Sequence, residues 1–329
     1  MLYNLHWPQE LWLTPLLLLV VVLASVLLPL PAAYHPLTLY RYFARALGQK
    51  VNPDPNRPRQ QLYISGTLAL LVATVPLLAL VYSLLQFSEL PQLFDALLLF
   101  ACLDWQQRRS TALQIQQTLQ RNQLALAREQ AAALLLRRRD NLTSMGLSKA
   151  LCESLVLRSS SEVIATLLWF LAGGGLAALS YRLLLVLQQQ WNSKTIAGRH
   201  FGRPVSLLVQ LLSAPALLFS CSCLALHYGI RRCWRQWRTA NQLTAAQRRN
   251  FGALPYCLLC CAAAALRRSL GGPVYYDEVK RGRSRITQIQ EPAAADISQA
   301  LKLTRQNHLT LLTLAAVIIL LQLTWLLNY

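Results

Sequence analysis

Acidic side chains are scarce in this sequence: 13 of its 329 residues are Asp or Glu, against 32 Lys or Arg, and charged residues of both signs make up only 14%. Together with 54% hydrophobic residues, that excludes an ordinary soluble globular protein. No recognition motif accompanies the basic residues, which flank apolar runs. The net charge of +19 therefore points to the anionic lipids of a membrane, at about 1 kcal/mol per basic residue near the surface, and not to nucleic acid. Ala172-Gly173-Gly174-Gly175 lacks the Lys-Ser/Thr ending of a phosphate loop and is no dinucleotide fingerprint. Internal repeats and low-complexity tails are missing too. Two groups among the eight cysteines lie in apolar helical runs without a nearby His or acid pair. Cys257, Cys260 and Cys261 contain one C-x-x-C spacing with no second ligand pair, and Cys221 and Cys223 point to different faces of a helix. The expectation is packing residues and no metal site.

What the sequence has is long apolar runs. Residues 11–30 carry no charge over 20 positions, and at 1.5 Å per residue that matches the roughly 30 Å hydrocarbon core of a bilayer. No basic residue precedes the run and no cleavage site follows it, so it reads as a span and not as a removed signal. Further spans are expected at 66–86, 163–188, 205–229 and 308–327, with a weak one at 91–103 that contains Asp95. Residues 254–266 are short and flanked by arginines, which predicts a buried or interfacial helix. The fold class expected is an all-α, polytopic integral membrane protein: one domain over 1–329 with five to six transmembrane helices and basic cytoplasmic helical loops.

Basic residues set the expected orientation. The first ten residues have none, residues 31–65 have five, 104–162 nine and 230–307 fourteen. By the positive-inside rule these three loops are cytoplasmic and the N-terminus is outside. The 189–204 loop, with Lys194, Arg199 and Arg203, is then expected outside, a mild violation. Residues 105–139 lack Gly and Pro and read as one long helix. Residues 51–60 read as a proline-rich turn, and the glycines at 173–175 as a point of close helix packing. Leu270-Gly271-Gly272-Pro273-Val274-Tyr275-Tyr276 reads as a sharp turn. Ionisable residues inside spans are few, Arg182 and Asp95 being the obvious ones, which argues against a transporter or channel.

Four separated groups of residues occur in order along the chain: His35-Pro36; Arg139-Asp140 with Glu153 to Trp169, Gly173-Gly174 and Tyr181-Arg182; Phe201-Gly202 with Pro215-Ala216; and Leu270 to Tyr276 with Asp296-Ile297 and Ala300-Leu301. In this order and spacing they resemble the adenosylcobinamide-phosphate synthases of cobalamin biosynthesis, the CbiB/CobD family. The resemblance implies a bacterial inner-membrane protein that joins a corrinoid carboxylate to aminopropanol or its phosphate, an amide-forming ligation. It implies ATP and Mg²⁺ if that reaction is retained, and a corrinoid as partner. It marks Glu153 and His35 as candidate catalytic residues, and Arg139, Asp140, Arg158, Tyr181, Arg182, Gly271, Gly272 and Tyr276 as candidates for substrate binding.

Simpler readings stand beside these: His35 as a helix-boundary residue, Arg139 and Asp140 as a loop ion pair, Glu153 as a solvated helix-start acid, and Arg158 as the i, i+4 partner of Glu162. The sequence also departs from the family pattern where that pattern carries polar residues. After Glu153-Ser154-Leu155, Leu157 stands for the second acid, Arg158 for Asn, Ser161 for Asp, Glu162 for Gly and Thr166 for Pro. Pro29-Leu30, Leu185, Gln188, Ser206, Leu208 and Val209 fall at further polar positions of the pattern. An apolar side chain cannot ligate Mg²⁺, so synthase activity is expected to be weak or absent. The alternative is a non-catalytic membrane regulator similar to AmpE, a relative in the same superfamily.

Overall fold

In the computed structural model the described residues are 13–28, 31, 35–240, 252–276, 279–286, 288 and 290–328. The expectations for the first ten residues and for Pro29-Leu30 lie outside them. Apolar composition and proline punctuation set most helix limits. Helix α1 is Leu13–Leu27, α2 Pro36–Val51, α3 Arg59–Gln86, α4 Pro91–Cys102, α5 Trp105–Gln120 and α6 Leu124–Gln130. Helix α7 is Ser144–Arg158, α8 Ala165–Gln190, α9 Arg203–Tyr228, α10 Ile230–Ala240, α11 Ala253–Leu266 and α12 Asp296–Asn328. Pro36, Pro91 and Pro204 sit in first turns, where a missing N–H leaves no hydrogen bond unmade. His35 caps α2 by accepting the Leu37 N–H, and Thr143 caps α7 by accepting that of Gly146 at 3.1 Å.

By length and composition four helical stretches are suited to cross a membrane: Arg59–Gln86, Ser144–Gln190, Arg203–Tyr228 and Asp296–Gln322, and Leu13–Leu27 is a shorter apolar helix. The protein is thus an all-α membrane protein with one small β element. That element is two antiparallel pairs, β1 (Leu270–Gly271) with β4 (Arg285–Ile286) and β2 (Val274–Tyr276) with β3 (Val279–Arg281). The core lies in two clusters. One gathers α5, α6, α7, the second half of α9, α11 and the start of α12; the other gathers α1 to α4, α8 and the first half of α9.

The sequence expectations need three corrections here. Residues 163–188 are not one straight span. Gly173 and Gly174 leave helical geometry, Gly174 at φ +68°, and the Tyr181 hydroxyl donates to the Ser161 carbonyl at 2.6 Å. In a continuous helix those residues would stand roughly 30 Å apart, so the chain doubles back. The glycines make a turn there, and they also permit close packing, since the Gly175 N–H donates to Asp95 at 2.9 Å.

Second, the 189–204 loop is not across the molecule from the other basic loops. The Trp191 indole N–H donates to the Ala44 carbonyl at 2.9 Å and Asn52 to the Ala197 carbonyl at 2.9 Å. Arg281 Nη2 donates to the Lys194 carbonyl at 3.1 Å.

Third, the 105–139 helix breaks after Gln120. Asn122 takes a left-handed φ of +59°, a conformation that asparagine tolerates without glycine or proline.

Candidate functional site

Glu153 sits in the last two turns of α7 and is 3% exposed. Its Oε1 accepts the Gly271 N–H at 2.7 Å, and its Oε2 accepts Arg283 Nη2 at 2.7 Å and Arg137 Nη1 at 3.4 Å. Both oxygens are committed. The simpler reading of Glu153 as a solvated helix-start acid is therefore corrected: it is buried, near a helix end, and neutralised by two guanidinium groups.

Gly271 reaches this carboxylate because its φ of +73° turns the backbone after β1, a conformation open to glycine. A Cβ there would collide with the Ser284 carbonyl. The next glycine donates its N–H to the same carbonyl at 3.1 Å, and its own carbonyl accepts Arg283 Nε at 3.0 Å. The β element thus exists to aim one N–H and one guanidinium at Glu153.

Beside this carboxylate lies a cavity of about 150 Å³ lined by Leu135, Glu153, Ser154, Leu157 and Tyr276 together with the cations Arg137, Arg158, Lys194 and Arg283. Lys194 Nζ donates to the Tyr276 hydroxyl at 3.5 Å and stands 5.4 Å from the ring centre. Burial alone would raise the Tyr276 pKa, but Lys194, Arg283 and Arg137 outweigh it and hold the phenol below its ordinary value. The same burial lowers the pKa of Arg137, against the pull of Glu153.

A second polar centre holds Asp104, Glu162, Arg41, Arg108 and Arg182. Asp104 accepts Arg108 at 2.8 Å, Arg41 at 3.2 Å and, closer still, Arg182. Glu162 pairs with Arg108 at 2.8 Å and Arg158 at 3.5 Å, and accepts the Gln189 amide at 2.8 Å. Glu162 lies in a π-helical turn, Ser159–Ile164. Burial pushes the Asp104 pKa up, yet Arg182, Arg108 and Arg41 together hold it well below the usual carboxylate range. Both acids are thus taken up by arginines.

The residues singled out by the resemblance divide between these places. Glu153, Arg158 and Tyr276 line the cavity, while Gly271 and Gly272 stand behind it, bonded to Glu153 and Arg283. Arg182 is in the second centre, with Tyr181 beside it. The buried ring of His35 faces that centre as well: burial lowers its pKa first, with Asp104 raising it and Arg182 lowering it. Its role as a helix cap bears out the boundary reading. Asp140 is exposed and pairs with Arg138 at 3.7 Å, not with Arg139, and neither Arg139 nor Asp140 lines the cavity. Arg158 does both things expected of it, lining the cavity and pairing with Glu162.

Sequence reasoning missed Arg137, Lys194 and Arg283 at the first site, and Asp104, Arg108 and Arg41 at the second. A usable signal existed for Arg283: the basic run Lys280-Arg281-Gly282-Arg283 closely follows the Gly271-Gly272 turn. For Asp104 it was the rarity of acids at the end of an apolar run.

The family described as CobD/Cbib protein matches residues 17–304. The chain is 29% identical over 283 residues to the cobalamin biosynthesis protein CobD of Stutzerimonas stutzeri (strain A1501), covering 86% of this chain and 90% of that one. It is 27% identical over 295 residues to the cobalamin biosynthesis protein CobD of Chromobacterium violaceum, covering 89% and 92% respectively. No solved structure matches. A match that takes in α1, both polar centres, the β element and the start of α12 shows that the chain belongs to the CobD/CbiB family of cobalamin-biosynthesis membrane proteins.

Proposed function

We propose that the Glu153 cavity binds the phosphate or carboxylate of an intermediate in cobalamin assembly, and that amide ligation of aminopropanol or its phosphate to adenosylcobyric acid is weak or lost in this member. The observation that carries this reading is the balance of charge at the cavity. Four cations, Arg137, Arg158, Lys194 and Arg283, share a lining with one acid, Glu153, whose oxygens are already paired. Guanidinium and ammonium groups recognise phosphate and carboxylate oxygens directly, with charge-assisted hydrogen bonds.

The residues at the cavity do not fit Mg²⁺. That ion takes near-octahedral oxygen ligands including one or two carboxylates, and Glu153, Asp104 and Glu162 are all occupied by arginine side chains. Leu157 and Arg158 stand where the family pattern carries an acid and an asparagine, and both line the cavity. Those two replacements convert a lining suited to a metal into one suited to an anion. Glu153, saturated with donors, acts in this account as a positioning residue that fixes Arg137, Arg283 and the Gly271 turn. The basic loops that meet around Lys194 form the cytoplasmic side of a multi-pass bacterial inner-membrane protein, with the N-terminus outside.

The test is complementation of a bacterium lacking the synthase, scored by growth that depends on the ligation product. The expected result is poor rescue, together with saturable binding of adenosylcobyric acid or aminopropanol phosphate to the purified protein. Robust rescue that Glu153→Gln abolishes would overturn the loss of activity. A regulator similar to AmpE would bind neither compound.

A further inference from the structure

Cysteines far apart in sequence meet in one place. Cys221 projects from α9, and Cys257 and Cys261 stand one turn apart on α11; their three sulfur atoms all lie within 4.8 Å of one another. Cys233, on α10, approaches Cys261 from a third helix. The sequence separates these cysteines and gives no sign of this grouping, whereas Cys223 faces Thr310. Cys260, the second cysteine of the C-x-x-C spacing, stays outside the group; Cys257 and Cys261 meet Cys221 of α9 and Cys233 of α10 instead.

We propose that Cys221, Cys257 and Cys261, with Cys233 as fourth ligand, form a thiolate site for a thiophilic d¹⁰ cation, zinc above all. Tetrahedral coordination at a Zn–S distance of about 2.3 Å sets sulfur atoms roughly 3.8 Å apart, a separation that the sulfur atoms of Cys221, Cys257 and Cys261, within 4.8 Å of one another, already approach. Binding one Zn²⁺ by four thiols releases four protons and leaves a complex of charge −2. The neighbouring helix supplies compensation: α10 carries Arg231, Arg232, Arg235 and Arg238 around Cys233, and Arg232 acts on Cys233 directly.

Surroundings match a structural site. Cys221, Cys233 and Cys261 are buried, Cys257 is partly accessible as an entry point, and no histidine or acid belongs to the cluster. Such a set selects soft cations over Mg²⁺. Its place is between α9, α10 and α11, of which α11 packs on β1 and α10 on β4, so the site would pin the β element to α9. It is independent of the Glu153 cavity and of any ligation activity.

The experiment uses full-length protein purified in detergent under reducing conditions. Metal content is measured after incubation with zinc and gel filtration, and cobalt(II) substitution is followed by thiolate-to-metal charge-transfer absorption. The expected result is stoichiometric zinc and a tetrathiolate cobalt spectrum, both lost in Cys257→Ser/Cys261→Ser and kept in Cys152→Ser. If the double variant fails to fold, alkylation of wild-type Cys257 decides instead, with zinc expected to protect it and a chelator to restore reactivity. Zinc retained by the folded double variant, wild-type protein that binds neither metal, alkylation unaffected by zinc, or a Cys221–Cys257 disulfide in the reduced preparation would each overturn the assignment.

Discussion

Replacing Glu153 by Gln separates a positioning carboxylate from a catalytic one. The change keeps the shape but removes a charge that faces Arg283 at 2.7 Å and Arg137 at 3.4 Å in a site where Glu153 is 3% exposed. If the amide N–H₂ takes the Oε2 side, it also points donors at a guanidinium. Hydrogen bonds to charged groups contribute about 1.5–3 kcal/mol each, and breaking a buried ion pair from one side costs about 3–5 kcal/mol. We expect Glu153→Gln to lose about 3–5 kcal/mol. Arg283→Met should lose a similar amount, and the double variant clearly less than the sum, with a coupling of about 2 kcal/mol. Unfolding in mixed detergent micelles by titration with SDS, followed by circular dichroism, gives the four values of the cycle. A Glu153→Gln protein as stable as wild type but devoid of function would refute the positioning role and restore Glu153 as a chemical participant.

Three further outcomes follow from the geometry. Gly174→Ala places a side chain at φ +68° in the hairpin turn, where strain costs about 1–3 kcal/mol; a thermal melt should show the loss, and an unchanged melting temperature would contradict the turn. Tyr276 should ionise below its ordinary value because Lys194, Arg283 and Arg137 overcome its burial. Ionisation adds negative charge to the cavity, so anion affinity should fall as pH rises through that lowered pKa; Lys194→Ala should move the tyrosinate absorbance step to higher pH, as measured against Tyr276→Phe. Single cysteines placed at Asn52, Lys194 and Lys280 in a background lacking accessible native thiols should react with a membrane-impermeant maleimide from the same side of the membrane, and opposite accessibility of position 194 would break the loop assignment.

Much of the architecture was legible because apolar length is an additive property of sequence. The runs at 66–86 and 308–327 lie within the long helices α3 and α12, 205–229 lies within α9 but for Gly229, and 254–266 lies within α11. Hydropathy carries no direction, however, so a hairpin and a single crossing look alike over 163–188; only the backbone at Gly173 and Gly174 separates them. The glycines were visible, but the reversal depends on Asp95 of α4 meeting Gly175, a contact 80 residues apart. The site was half legible for a similar reason. Glu153 and Gly271 stood out as residues of a recognisable pattern, whereas Arg137, Lys194 and Arg283 are basic residues in a chain rich in them, and folding alone selects which ones converge. Asp104 was hidden differently, since Arg41 and Arg182 reach it from other helices, whereas the Arg158 partner of Glu162 was legible from its i, i+4 spacing.

The central claim, an anion site built from cations around a saturated carboxylate, is tested most directly by calorimetric titration of aminopropanol phosphate and of adenosylcobyric acid into the purified protein and its Lys194→Ala variant. Lys194 holds the Tyr276 hydroxyl at the cavity wall, and replacing it leaves Arg137 and Arg283 on Glu153. The account predicts saturable binding of at least one compound, weakened about tenfold or more in the variant, since a lost charge-assisted contact exceeds the roughly 1.4 kcal/mol that a tenfold change requires. Binding of equal strength in both proteins, or none to the wild type, would contradict it.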